Sequence, residues 1–329
     1  MIVGIIKNNR SASIVMVPVI LTGLWLYGFF HPAIPLTEHA APLYKLIVTS
    51  LSGFPLLLTA LSFLLILCEA VLINHIIEQN EIINTKSFLP ASVYIILMSL
   101  QPEMFSLHPI VIANLFLLLA IHRLMQTHRK ETAFSNVFDA GLYISLATLF
   151  FVPSAVFLLI LWICLLVIRP FIWREWVISF IGLLLPWIYV VAYYFWKDKL
   201  DMLEYDALYY TIIAPSKSFS ALRFSAAEYF QAAVLFVFLI LTAGRLFHDV
   251  SSGAVRTRNN LIVMIYFFFL SLVSIFLAPS YSIHYLSFLA IPVSIFFSGY
   301  LLFSKKQLIA EIIFLLLIIS VFVNQIFYN

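Results

Sequence analysis

The chain has 329 residues, of which 64 % are hydrophobic and 10 % charged, with a formal net charge of +3. Soluble globular domains carry about 25 % charged residues, and so little polar surface cannot cover a soluble protein of this length. A water-soluble protein is therefore excluded, no nucleic-acid partner is expected, and the composition is that of an all-α polytopic transmembrane bundle. Thirty-two Phe, sixteen Tyr and six Trp add rings, of which the Tyr and Trp suit the headgroup belts of a bilayer.

Lys7 and Arg10 precede a first span near residues 14–30, read as a retained span because no small-residue cleavage site follows it. The polar stretch "HPAIPLTEHAAPLYK" leads to a long apolar run, 46–77, that holds an interfacial turn and then span two, with Pro55 near the break. After "EQNEIINTKS" comes a short third span, 88–100, ending at "QPEMFSLHP". Spans four to seven follow near 110–125, 134–153, 154–168 and 176–196. The longest polar segment, 197–229, precedes span eight, which ends at Arg245. "HDVSSGAVRTRNN" reads as a loop, and spans nine to eleven fall near 261–278, 283–303 and 309–327. No internal repeat is visible. Cys68 and Cys164 lie inside apolar runs, so no disulfide framework is indicated.

Alternating these eleven spans places Lys7, Arg10, Lys86, Arg123, Arg129, Lys130, Arg169, Arg174, Arg245, Arg256, Arg258, Lys305 and Lys306 on one side, and Lys45, Lys197, Lys199, Lys217 and Arg223 on the other. Cytoplasmic loops carry the excess of Lys and Arg. The count of 13 against 5 makes residues 1–329 a single integral membrane domain with a cytoplasmic N-terminus and an extracytoplasmic C-terminus.

No Walker loop, G-x-G-x-x-G, H-E-x-x-H or G-x-S-x-G motif is present. What remains is a set of ionisable residues in or near the membrane. Glu69, in "LLILCEAVLINH", is the deepest carboxylate by position and reads first as a helix–helix hydrogen bond, second as a proton or ligand site. Glu38 lies in the first outer loop with His31 and His39; Glu103 and His108 lie in the second, pinned by two prolines. If the two loops fold together, Glu38 and Glu103 converge as base-assisted transfer requires; two unrelated loops would read the same way. Lys217 and Arg223 read first as ordinary interfacial cations in contact with headgroups, second as partners of a lipid phosphate. Asp139 sits where it complements a helix dipole. His284, beside Tyr281 and Tyr285, reads either as part of an interfacial belt or as a contact to a lipid phosphate.

The order of features from residue 88 to 196, with "HPIVIANLFLLLAIHRL", "DAGLYISLATLFFVPSAVFLLILW" and "WVISFIGLLLPW", resembles the middle of GT-C-fold glycosyltransferases. "SYSIHYLSFLAIPVSIFF" is similar to their late span with a basic residue, Tyr and Pro. Together these cover about 40 % of the chain. The whole chain also resembles an uncharacterised family of polytopic inner-membrane proteins from Bacteroidota. Where GT-C enzymes place an acid, usually Asp, in the first outer loop, this chain has Glu38.

The GT-C resemblance implies transfer of a sugar from a polyprenyl-phosphate carrier in cell-envelope biogenesis, at a bacterial inner membrane. Glu38 and Glu103 would be the catalytic carboxylates, and His284, Tyr281, Lys217, Arg223 and His108 the substrate contacts. A divalent cation is compatible with that chemistry, though no ligand cluster marks one. The partners would be the bilayer, the lipid-linked donor and other membrane proteins. Two alternatives stand: a catalytically inert GT-C-like scaffold of an envelope assembly or secretion complex, and a transporter or lipid flippase coupled through Glu69.

Overall fold

The computed structural model describes residues 10–35, 41–83, 85, 87–128, 130–200, 226–277, 283–304 and 307–327. These residues are all-helical, with no strand among them. In chain order the helices are α1 (Arg10–Phe30), α2 (Pro42–Leu51), α3 (Pro55–Gln79), α4 (Leu89–Met98), α5 (Pro109–Met125), α6 (Phe134–Phe150), α7 (Leu158–Ile168), α8 (Trp173–Trp196), α9 (Ala226–Ser252), α10 (Val255–Leu277), α11 (Ala290–Phe303) and α12 (Gln307–Phe327). Short 3₁₀ turns cover Pro102–Phe105, Val152–Phe157 and Ile283–Leu289, the last two leading into α7 and α11.

Proline sets many of these starts. Pro42, Pro55, Pro90, Pro102, Pro109 and Pro153 each occupy the first turn of their element, where the missing N–H has no intrahelical partner to lose. Pro55 also holds Phe54 out of the helical region, which ends α2 and turns the chain into α3. The stretch "HDVSSGAVRTRNN", expected as a loop, is almost wholly helical: α9 continues to Ser252 and α10 begins at Val255. Polar residues there extend two helices beyond the apolar zone, and the Arg245–Asp249 pair, one turn apart, supports the extension.

Among the described residues, seven helices are long and apolar enough to cross a membrane; Leu89–Met98, Pro109–Met125, Phe134–Phe150 and Val152–Ile168 are shorter apolar helices. The shortest is the most buried. Every residue of α4 is buried, among α1, α3, α11 and α12. Ten residues rise about 15 Å, half of a hydrocarbon core of about 30 Å, so the segment after α4 is irregular backbone inside the protein.

That depth demands internal partners for every freed backbone group, and side chains from surrounding helices supply them. Gln231 and Asn324 both donate to the carbonyl of Leu100, at 3.0 and 2.8 Å. Ser62 donates to Met104 O at 2.8 Å, and Tyr44 to Leu107 O at 2.9 Å. Trp25 donates to Ser99 Oγ at 3.0 Å, and Ser106 to Ala33 O at 2.9 Å. Residues 99–108 thus form a hub at one end of the bundle, here the far end, fastened to α1, α2, α3, α9 and α12.

The near end is fastened differently. Arg169 and Glu175 form a buried ion pair, with Nε to Oε2 at 3.1 Å and Nη2 to Oε1 at 2.9 Å. Arg169 also donates to Thr127 O and Glu131 O, and Glu175 accepts from Ala133 N, so the pair closes the α5–α6 connection against α7 and α8. Beside it, Asn260 and Thr257 of α10 donate to Asn80 O and Glu81 O after α3. Asp139, expected to serve a helix dipole, pairs with Arg123 at 3.3 Å instead, because α6 already begins at Phe134.

Candidate functional site

The far-end hub is the setting for Glu103. Pro102 opens a 3₁₀ turn in which Met104 and Phe105 are buried and the Glu103 side chain is half-buried. One of its carboxylate oxygens, Oε2, is buried with no hydrogen-bond partner. Burial is the main force pushing this carboxyl above its ordinary value; a backbone hydrogen bond opposes it, and the negative charge of Glu228 pushes it further up. Glu228 stands in the first turn of α9, three residues before Gln231 and on the same helix face. Since Gln231 is anchored to Leu100 O, the register of α9 brings Glu228 toward Glu103.

The shift has a sign that can be tested. A carboxyl whose folded pKa exceeds its unfolded one contributes stability that is fully present below the unfolded value and lost as pH rises through the folded value. The thermal midpoint of the purified protein is therefore expected to fall as pH rises above the ordinary glutamate value of 4.5. Glu103→Gln should flatten that part of the profile. A parent and a variant with superimposable profiles would show that Glu103 ionises freely.

His108 lies five residues on and caps α5: its Nδ1 accepts from Ile110 N at 3.3 Å. Accepting there requires an unprotonated Nδ1, which fixes the tautomer with the proton on Nε2. Glu38, Lys217, Arg223 and Tyr281 lie outside the described residues, and of His284 the backbone alone is described, in the turn Ile283–Leu289. The structure therefore places Glu103 and His108 in one turn-and-cap segment and adds Glu228, which sequence reading did not single out. The signal that could have found it is the Glu-x-x-Gln spacing opening an apolar span, a polar stripe with no reason to face lipid.

Glu69 is a further acid inside the bundle. It is fully buried in α3 and accepts from Tyr94 OH of α4 at 2.7 Å, the helix–helix hydrogen bond its sequence context suggests. Asn114 of α5, also fully buried, donates to Ser287 O at 3.3 Å beside the same core. Among the described residues, no group of three or more His, Cys, Asp or Glu side chains is arranged to hold a metal ion.

Seven membrane-length apolar helices among the described residues, with a buried half-length helix, define a multi-pass α-helical membrane protein. The chain belongs to the family of unknown function DUF6427, whose model matches residues 40–328. No curated protein and no solved structure matches it.

Proposed function

We propose that this chain is a GT-C-like transferase of cell-envelope biogenesis, taking a sugar from a polyprenyl-phosphate carrier at the outer face of a bacterial inner membrane. The reading counts the seven long helices and the four shorter apolar ones as eleven crossings, N-terminus in the cytoplasm. The charges support that orientation: Arg123, Lys130, Arg169, Arg174, Arg245, Arg256 and Arg258 lie toward the near end, whereas Lys45, Lys197 and Lys199 lie toward the far end.

The observation that carries the reading is Glu103, a half-buried carboxylate with an unpartnered oxygen, raised by burial and by Glu228, on a rigid hub at the far end. A carboxyl raised toward neutrality is suited to take a proton from an attacking hydroxyl. The hub matters because a base must be held in place while substrate is positioned. Glu38 and the lipid-phosphate contacts His284, Tyr281, Lys217, Arg223 and His108 complete the proposed site, and no step is routed through a metal.

The test is lipid analysis of cells lacking the chain. A polyprenyl-phosphate-linked sugar should accumulate, and the parent protein should clear it. Glu103→Gln, present at parental levels, should clear it on the order of 10²-fold more slowly. Full clearance by Glu103→Gln would remove the base assigned here.

The scaffold reading is favoured by a separate feature. Helix α8 buries only Glu175, Ser179 and Gly182, and exposes Trp173, Phe180, Tyr189, Tyr193, Phe195 and Trp196. A scaffold would tolerate Glu103→Gln and fail when that aromatic face is replaced by leucines. The transporter reading would run through Glu69, which is sealed against Tyr94 in this conformation.

A further inference from the structure

A cleft opens at the near end between α9, α10 and α11, away from Glu103. Arg245, His248 and Asp249 stand at its polar side, and Leu261, Ile295 and Phe296 form its apolar side. We propose that this cleft binds the phosphate-bearing head of a membrane phospholipid.

Size argues for a head rather than a whole ligand. The cleft holds about 210 Å³, below the roughly 300–1,000 Å³ of sites that enclose a complete small molecule. Its occupant must leave most of its bulk outside. The cleft lies where α9 ends, α10 begins and α11 ends, the level of a span's interface with water. Its rim includes Phe303, 37 % exposed, and next to the rim Phe247 is 77 % exposed, so the tail has an apolar way out.

Donor geometry argues for phosphate. Arg245 is held by Asp249, with Nε to Oδ2 at 3.0 Å and Nη2 to Oδ1 at 2.9 Å, and its guanidinium lies 4.4 Å from the Phe303 ring centroid. These contacts fix the planar fork and leave Nη1 without a hydrogen bond among the described residues. A preorganised guanidinium edge matches a phosphate oxygen. His248, its Nδ1 3.5 Å from Asp249 Oδ1 and 3.3 Å from Ser252 Oγ, borders the same cleft. The first turn of α10, with Thr257 on the cleft wall, adds the positive end of a 23-residue helix. Gly299 keeps the space open: a Cβ built there meets nothing within 4 Å.

A phosphate ester could come from a lipid or from solution, and the two are separable. The full chain, purified and stripped of lipid in detergent, is titrated with phosphatidylethanolamine, phosphatidylglycerol, diacylglycerol or inorganic phosphate. Thermal midpoint and native mass spectrometry report binding. Both phospholipids should bind and raise the midpoint. Diacylglycerol, lacking phosphate, and inorganic phosphate, lacking a tail, should each bind at least tenfold more weakly. Gly299→Leu, which fills the cleft, should lower phospholipid affinity at least tenfold. Should that variant fail to fold, Arg245→Gln, which adds no bulk against α11 and gives up only the contact to Phe303, should show the same loss. Unchanged affinity in Arg245→Gln overturns the proposal. So does diacylglycerol binding as well as phospholipid, which would make this a plain apolar groove, or inorganic phosphate binding as well, which would make it a plain anion site.

Discussion

Arg169→Met is expected to destabilise the protein by about 3–5 kcal/mol, the cost of stranding one member of a buried ion pair. Side chains of Arg169 and Glu175 are 3 % and 2 % exposed, so water cannot take over for the missing partner. The guanidinium also satisfies Thr127 O and Glu131 O, and its removal leaves three acceptor groups underserved at once. Glu175 would then hold a charge whose remaining described contact is Ala133 N. A second change separates the stranded charge from the lost packing. In Arg169→Met with Glu175→Gln, the amide still accepts from Ala133 N and carries no charge, so at least half of the loss should return. Chemical unfolding in detergent measures all three proteins. An Arg169→Met variant within about 1 kcal/mol of the parent, against the cost expected of a broken buried pair, would show that this lock does not hold the near end.

Gly182→Ile is expected to detach α8 from α6. A Cβ at Gly182 would lie 2.5 Å from Phe138 O and 3.2 Å from Leu142 N; one at Gly141 would lie 2.7 Å from Ser179 O. These neighbours are backbone, which no rotamer change can move aside. Small residues let membrane helices approach this closely and gain dispersion contacts. Overpacking typically costs about 1–3 kcal/mol, and here it should reach the top of that range because the obstructing atoms are backbone. Separation also breaks the bond from Trp187 Nε1 to Thr148 Oγ1 at 2.8 Å. Amide hydrogen exchange across Trp173–Trp196 should rise in Gly182→Ile and much less in Gly182→Ala. Parental exchange in the isoleucine variant would refute the close-packed seam.

Most helices could be placed from sequence because the signals that set them are local. Pro55 marks the break between α2 and α3 in the chain itself, and the structure puts that break at residues 52–54. The shortness of the third span is equally local, 10 residues between prolines and polar stretches. Helix replaces the loop expected at "HDVSSGAVRTRNN" because hydropathy reports where lipid ends, not where a helix ends. Polar residues extend a helix freely once they stand in water.

Of the site, the sequence marked Glu103 and His108 by their prolines and their place outside an apolar run. It could not show that Glu228 comes near Glu103, since 125 residues separate them and only the packing of α9 on the hub sets the approach. Composition alone determined that this is a multi-pass membrane protein, because 10 % charge leaves no other way to meet water. Tertiary structure alone decided that the shortest apolar helix sits at the centre. A 15 Å helix in a 30 Å layer must bury its ragged end, and which side chains satisfy that end depends on helices up to 224 residues away, as Asn324 and Leu100 are.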